Sequence, residues 1–172
     1  MNVIQLLTAF ALFTIVALNE EIMFRGYILS NLVDATNRYV ALLISSLLFM
    51  LMHLANAHLS TIAIVNLFLA GILLGVYYIF QRNLWFSIGL HLTWNFFQGP
   101  IYGFEVSGLK TDSIIQSTLI GNEWITGGEF GFEGSLIATI LLLIMIFFIH
   151  QKYRLTIREN RQNSENHKSE LP

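Results

Sequence analysis

The chain has no cysteine, which excludes a disulfide framework and a thiol nucleophile. Charge is scarce as well: Asp, Glu, Lys and Arg make up 12% of the 172 residues, against 55% hydrophobic. With a mean hydropathy of +0.62, this balance excludes a soluble domain with a wet exterior and identifies an integral membrane protein. Membrane lipid is therefore an expected partner, and with a net charge of -2 nucleic acid binding is not suggested. The absence of an HExxH sequence excludes the zincin helix arrangement. No repeat of 20 to 50 residues is visible, so a solenoid is excluded too. The opening run Val3 to Leu18 lacks a basic leader and a small-residue cleavage site, and is read as a retained helix rather than a signal peptide.

What is present is long and apolar. Five segments stand out, Val3 to Val33, Tyr39 to Ala55, Ile62 to Phe80, Leu84 to Tyr102 and Ser135 to His150, each near the ~20 residues that span hydrocarbon. Backbone groups cannot stay unpaired in lipid and no segment alternates as a strand does, so the expected class is an all-α, polytopic transmembrane bundle. The expected organisation is a membrane-embedded domain over residues 1–150, with a long loop at 104–134, and a polar, frayed cytoplasmic tail at 151–172. Arg38, Arg82 and the basic residues after His150 fall on one side of five alternating spans, and that side is cytoplasmic by the positive-inside rule. The protein is thus read as multi-pass in the cell membrane. The acidic, glycine-rich loop is then external, flexible and able to cover or gate something. Gly71 and Gly75 form a small-xxx-small face for close helix packing, and Asn66 at membrane depth predicts an interhelical hydrogen bond.

Against this background, Asn19 to Gly26 is anomalous, because Glu20, Glu21 and Arg25 interrupt an apolar run. Each ionised side chain costs on the order of 3 kcal/mol at a bilayer centre on insertion scales, which makes the cluster a candidate functional site. Glu21 and Arg25 share a helical face at the favourable i,i+4 spacing, whereas Glu20 is turned about 100° away. One carboxylate is compensated. The other, Glu20, is left facing low dielectric and becomes a candidate proton acceptor. Phe49 and His53 are also four apart, as are His91 and Asn95, so three segments each present one polar face toward a common core. The plainer alternative is a buried salt bridge with a membrane-edge glutamate and two packing histidines. Thirteen steps from Val33 to Glu20 and from Val40 to His53 place both groups at the same depth, about 20 Å from the helix ends. His91 lies about 10 Å from Leu84, a mismatch that places it nearer the cytoplasm unless its helix starts later or tilts. Trp94, beside Asn95, is placed to line a pocket.

A glutamate base assisted by histidine activates water, and a second histidine with an asparagine amide stabilises an oxyanion. An alternative is metal hydrolysis, with His53, His91 and Glu20 or Glu21 holding zinc or another divalent ion. The set Glu20-Glu21-x-x-x-Arg25, Phe49-x-x-x-His53 and His91-x-x-x-Asn95 resembles the CAAX-prenyl-endopeptidase and bacteriocin-processing family of intramembrane proteases, over about Leu18 to Pro100. The resemblance implies a helical bundle with Glu20 activating water, Glu21 and Arg25 supporting it, His53 assisting, and His91 with Asn95 stabilising the oxyanion. It also implies cleavage of a membrane-associated peptide or protein, of CAAX or bacteriocin type. Members carry several helices before the first motif, and here one apolar run precedes it. A compact variant, a fragment and a homo-oligomer that completes its wall all fit. Two other classes compete: a non-catalytic immunity or membrane-scaffold protein whose acidic loop attracts cationic peptides, and a proton-coupled transporter.

Overall fold

The computed structural model describes residues 1–169, with side chains described through Thr156. It is an all-α membrane bundle. No strand is present among the described residues, only an isolated antiparallel bridge between Val106 and Leu109. The first rod begins with α1 (Val3–Glu21), widens into a π-helical stretch (Ile22–Leu29) and finishes as α2 (Ser30–Ala35). There follow α3 (Arg38–Met52), α4 (Thr61–Gln81) and α5 (Leu84–Phe96), the last running into a second π turn, Phe97–Ile101, that contains Pro100. The long loop contains α6 (Glu123–Thr126) and two 3₁₀ turns, and α7 (Leu136–Ser169) follows it.

Helix starts follow capping chemistry: Asn2, Asn37, Ser60 and Asn83 each accept a backbone N–H of the first turn, which satisfies a donor that lipid could not. Arg82, in the left-handed conformation, ends α4. Because 56% of α4's most apolar window is buried, against 11% for the first rod and for α7, α4 is the central helix and the other two face lipid. Core clusters stack along it: Ala63, Leu67 and Phe130 at one end, Leu74 with Phe24 and Phe49 midway, and Val76, Tyr78 and Ile79 with Leu29 and Leu42 at the other.

The small-residue face behaves as expected. A Cβ on Gly71 would stand 2.8 Å from the Cα of Ser46, and one on Gly75 would stand 2.5 Å from Leu42 Cδ1, so α3 and α4 meet backbone to backbone. Asn66 also bonds across helices: its amide donates to the carbonyls of Glu133 at 2.7 Å and Ser135 at 2.8 Å, and its oxygen accepts from Thr139.

Several expectations need correction. Three helical runs, Val3–Ala35, Thr61–Gln81 and Leu136–Thr156, are each long and apolar enough to cross a membrane, and the remaining two apolar segments form the shorter α3 and α5. Helix α3 ends at Met52, so its 15 residues reach about 22 Å, short of the ~30 Å hydrocarbon core. The residues read as a frayed tail continue α7 as helix to Ser169, while 170–172 lie outside the described residues. The long loop is a folded cap rather than a slack segment. Ser107 and Gly108, with φ of 51° and 81°, form a tight turn of the hairpin kind between Val106 and Leu109, Phe130 is buried against α4, and Gln5 of α1 donates to Asp112.

Candidate functional site

The first rod supplies the acidic members. Glu21 and Arg25 are fully enclosed, at 0% and 1% exposure, and Arg25 Nη1 donates to Glu21 Oε1 at 2.9 Å. Its other guanidinium nitrogen donates to the Gly71 carbonyl at 3.0 Å, and the group lies 4.5 Å from the Phe49 ring centre. A buried cation is tolerated only when its donors are used, and here one fork serves a carboxylate, a carbonyl and a ring. The wider turn that begins at Ile22 belongs to the class of π distortions that often mark functional sites.

His53 is the residue that caps α3. Its Nδ1–H donates to the Phe49 carbonyl at 2.8 Å. A carbonyl only accepts, so in the neutral ring Nε2 is left as the acceptor. That nitrogen stands 3.7 Å from Glu20 Oε2.

His91 on α5 uses both ends. Nδ1 lies 2.9 Å from Glu21 Oε1, the same oxygen that receives Arg25, and Nε2 lies 3.9 Å from Glu20 Oε2. Sequence spacing left Glu21 paired with arginine alone and Glu20 isolated. In the structure Glu21 also orients His91, and Glu20 faces two imidazoles. The depth mismatch of His91 resolves through Gly26: a Cβ there would lie 3.2 Å from Leu84, so α5 begins well up the side of the first rod. Seven residues later His91 arrives level with the acidic pair.

Glu20 Oε2 and Glu21 Oε2 are buried oxygens with no hydrogen-bond partner, although the Glu20 side chain as a whole is 26% exposed. Glu20, His53, His91 and Asn95 line one cavity of about 700 Å³ with Asn19, Asn56 and the hairpin residues Val106 to Leu109. All six sequence-derived residues, Glu20, Glu21, Arg25, His53, His91 and Asn95, are thereby gathered in one place. The metal alternative fits less well. Among the described residues no group of three or more His, Cys, Asp or Glu side chains is arranged to hold a metal ion. The 3.7 and 3.9 Å separations exceed the edges of about 3.3 Å that a tetrahedral zinc site requires.

One residue escaped sequence reasoning. Glu133, expected in an external loop, turns inward and lines a smaller cavity of about 50 Å³ together with His53, His91, Trp94 and Asn66. Its Oε1 accepts from Trp94 Nε1 at 3.1 Å, and Oε2 accepts from the Ser107 backbone N–H and hydroxyl at 2.8 Å each. Burial pushes its carboxyl above the ordinary value of 4.5, opposed by the two Ser107 hydrogen bonds and by the imidazoles of His91 and His53. A lone Glu in a glycine-rich loop carries no periodicity to betray such a role.

No curated protein and no solved structure matches the chain. A family model does: that of the type II CAAX prenyl endopeptidase Rce1-like family matches residues 2–97, more than half of the 172 residues and a span that includes all six gathered side chains. The chain therefore belongs to the type II CAAX prenyl endopeptidase Rce1-like family.

Proposed function

We propose that the protein is an intramembrane endopeptidase that hydrolyses a peptide bond in a membrane-associated peptide or protein, of CAAX or bacteriocin-related type, using water activated by Glu20 and His53. The observation that carries this reading is the buried, unpartnered Glu20 Oε2 facing two imidazole nitrogens at the wall of an open cavity. A water between Glu20 and His53 meets two acceptors, since the Nδ1–H of His53 is committed to Phe49. As that water attacks the carbonyl carbon, its proton passes to Glu20, and the new negative charge forms on the carbonyl oxygen. The Asn95 amide donates to that oxygen, and Nε2 of His91, whose ring is held at Nδ1 by the Glu21 carboxylate, faces it. Glu20 then returns the proton to the leaving nitrogen and the C–N bond breaks, giving a carboxylic acid and an amine, between which the remaining proton redistributes. The protein acts from within a cell membrane as a multi-pass protein, with the Arg38 and Arg82 end cytoplasmic.

The test is cleavage of a membrane-anchored peptide by purified protein in liposomes. Glu20→Ala, His53→Ala and His91→Ala are each expected to abolish cleavage while the protein still inserts. Cleavage surviving Glu20→Ala would sink the proposed base. Activity lost to a chelator and restored by added zinc would replace the metal-free version with the metal one. Protection against a cationic peptide that persists in the inserted Glu20→Ala, His91→Ala double variant would instead favour the non-catalytic binding class.

A further inference from the structure

Glu133 is outside the residues matched by the family model, and the hydrolytic steps above do not use it. Its carboxylate and backbone carbonyl nonetheless tie together three parts of the molecule. Through Trp94 it reaches α5 at the position before Asn95, through Ser107 it reaches the hairpin that walls the larger cavity, and its own backbone carbonyl is held by Asn66 of α4. Ser107 in turn receives the Asn56 amide on its carbonyl at 3.1 Å, so the loop after His53 is drawn into the same knot. The hairpin tip has little else to fix it: Gly108 donates to Phe130 and packs on the Ala57 backbone.

We infer that Glu133 is a positioning residue for the hydrolysis, its carboxylate acting as a three-bond clamp that sets Asn95 through Trp94 and sets the cavity's hairpin wall through Ser107. The inference rests on the endopeptidase reading for its kinetic consequence but not for the clamp itself. A glutamine of the same shape cannot reproduce the clamp. Its amide nitrogen must face either the Trp94 N–H or the Ser107 N–H, so one donor is left without an acceptor. A misplacement of about 1 Å near the reacting atoms costs up to about 100-fold in rate, so the effect falls on kcat.

The experiment uses the full chain in liposomes in a Trp85→Phe, Trp124→Phe background, both sites being surface-exposed, which leaves Trp94 as the sole indole. Glu133→Ala is expected to red-shift Trp94 emission and to lower kcat about 10- to 100-fold, with KM changed less than about threefold. In a Trp94→Phe background the further loss from Glu133→Ala is expected to be smaller than in the parent, because the Trp94 arm of the clamp is already gone and only the Ser107 arm remains to be lost. Glu133→Gln is expected to fall between the parent and Glu133→Ala, and it carries the test if the alanine variant does not insert. A kcat within twofold of the parent, losses that multiply in the Trp94→Phe background, or a glutamine variant equal to the parent would each overturn the proposal. If the parent itself cleaves nothing, the endopeptidase reading fails. The clamp is then decided by emission alone, an unshifted Trp94 spectrum in Glu133→Ala overturning it.

Discussion

At the scale of single residues, the six site side chains divide into those that hold and those that react, and the two groups should respond differently to substitution. Arg25 holds. Its removal strands the fully buried Glu21 carboxylate, a change that costs about 3–5 kcal/mol when one partner of a buried pair is lost. Arg25→Ala is therefore expected to lower the thermal midpoint sharply, and Arg25→Lys to lower it less while still costing activity. An ammonium keeps the charge but cannot fork between Glu21 and the Gly71 carbonyl, whose separate hydrogen bonds are 2.9 and 3.0 Å. Asn95 is the contrary case. It lines the cavity and makes no side-chain hydrogen bond among the described residues. Asn95→Ala is thus expected to leave the thermal midpoint unchanged and to reduce kcat by about 10²–10³, the loss typical of one oxyanion donor. A fall in stability without a fall in kcat would return Asn95 to a packing role.

Among the helices, the decisive contact is the crossing of α3 and α4, because it holds both the Ser46 backbone and the Arg25 acceptor. Gly71→Ala pushes a methyl to 2.8 Å from Ser46 Cα, a clash with backbone that no rotamer relieves, and overpacking of this kind costs about 1–3 kcal/mol. Gly89 is the control: nothing lies within 4 Å of a Cβ built there, so Gly89→Ala should be neutral or stabilise by about 0.5–1 kcal/mol. Thermal unfolding in one detergent checks both, and equal effects would dissolve the argument from close approach. This crossing also shows how much was legible in advance. The Gly71 and Gly75 spacing and the interhelical bond of Asn66 could be read from residue type and period, as could the face shared by Glu21 and Arg25. The depth at which α5 begins beside the first rod could not, because it depends on Leu84 packing against Gly26, nor could the end of α3 one residue before His53. Both are tertiary outcomes that hydropathy does not encode. The second partner of Glu21 was hidden for the same reason, since spacing along one helix says nothing about which ring arrives from another.

For the whole molecule, the lesson lies in the cap. Its acidic composition suggested slack, solvated chain, but a single inward carboxyl stitches it to α5 while Phe130 anchors it beside α4. That stitch makes the stability of the protein depend on pH in a defined direction. Burial holds the Glu133 carboxyl above its ordinary value of 4.5 against the lowering influence of Ser107, His91 and His53, so the folded state binds this proton more tightly than the unfolded one. The contribution is fully present below 4.5 and is lost as pH rises through the elevated folded value. Glu133→Gln cannot ionise, so the wild-type midpoint minus the variant midpoint should decline as pH increases from 4.5. The other carboxylates of the cap are common to both proteins and cancel in that difference. A difference that stays flat across the window would show that the carboxyl is as well solvated folded as unfolded, and would remove burial of Glu133 as the link between the cap and the membrane-embedded site.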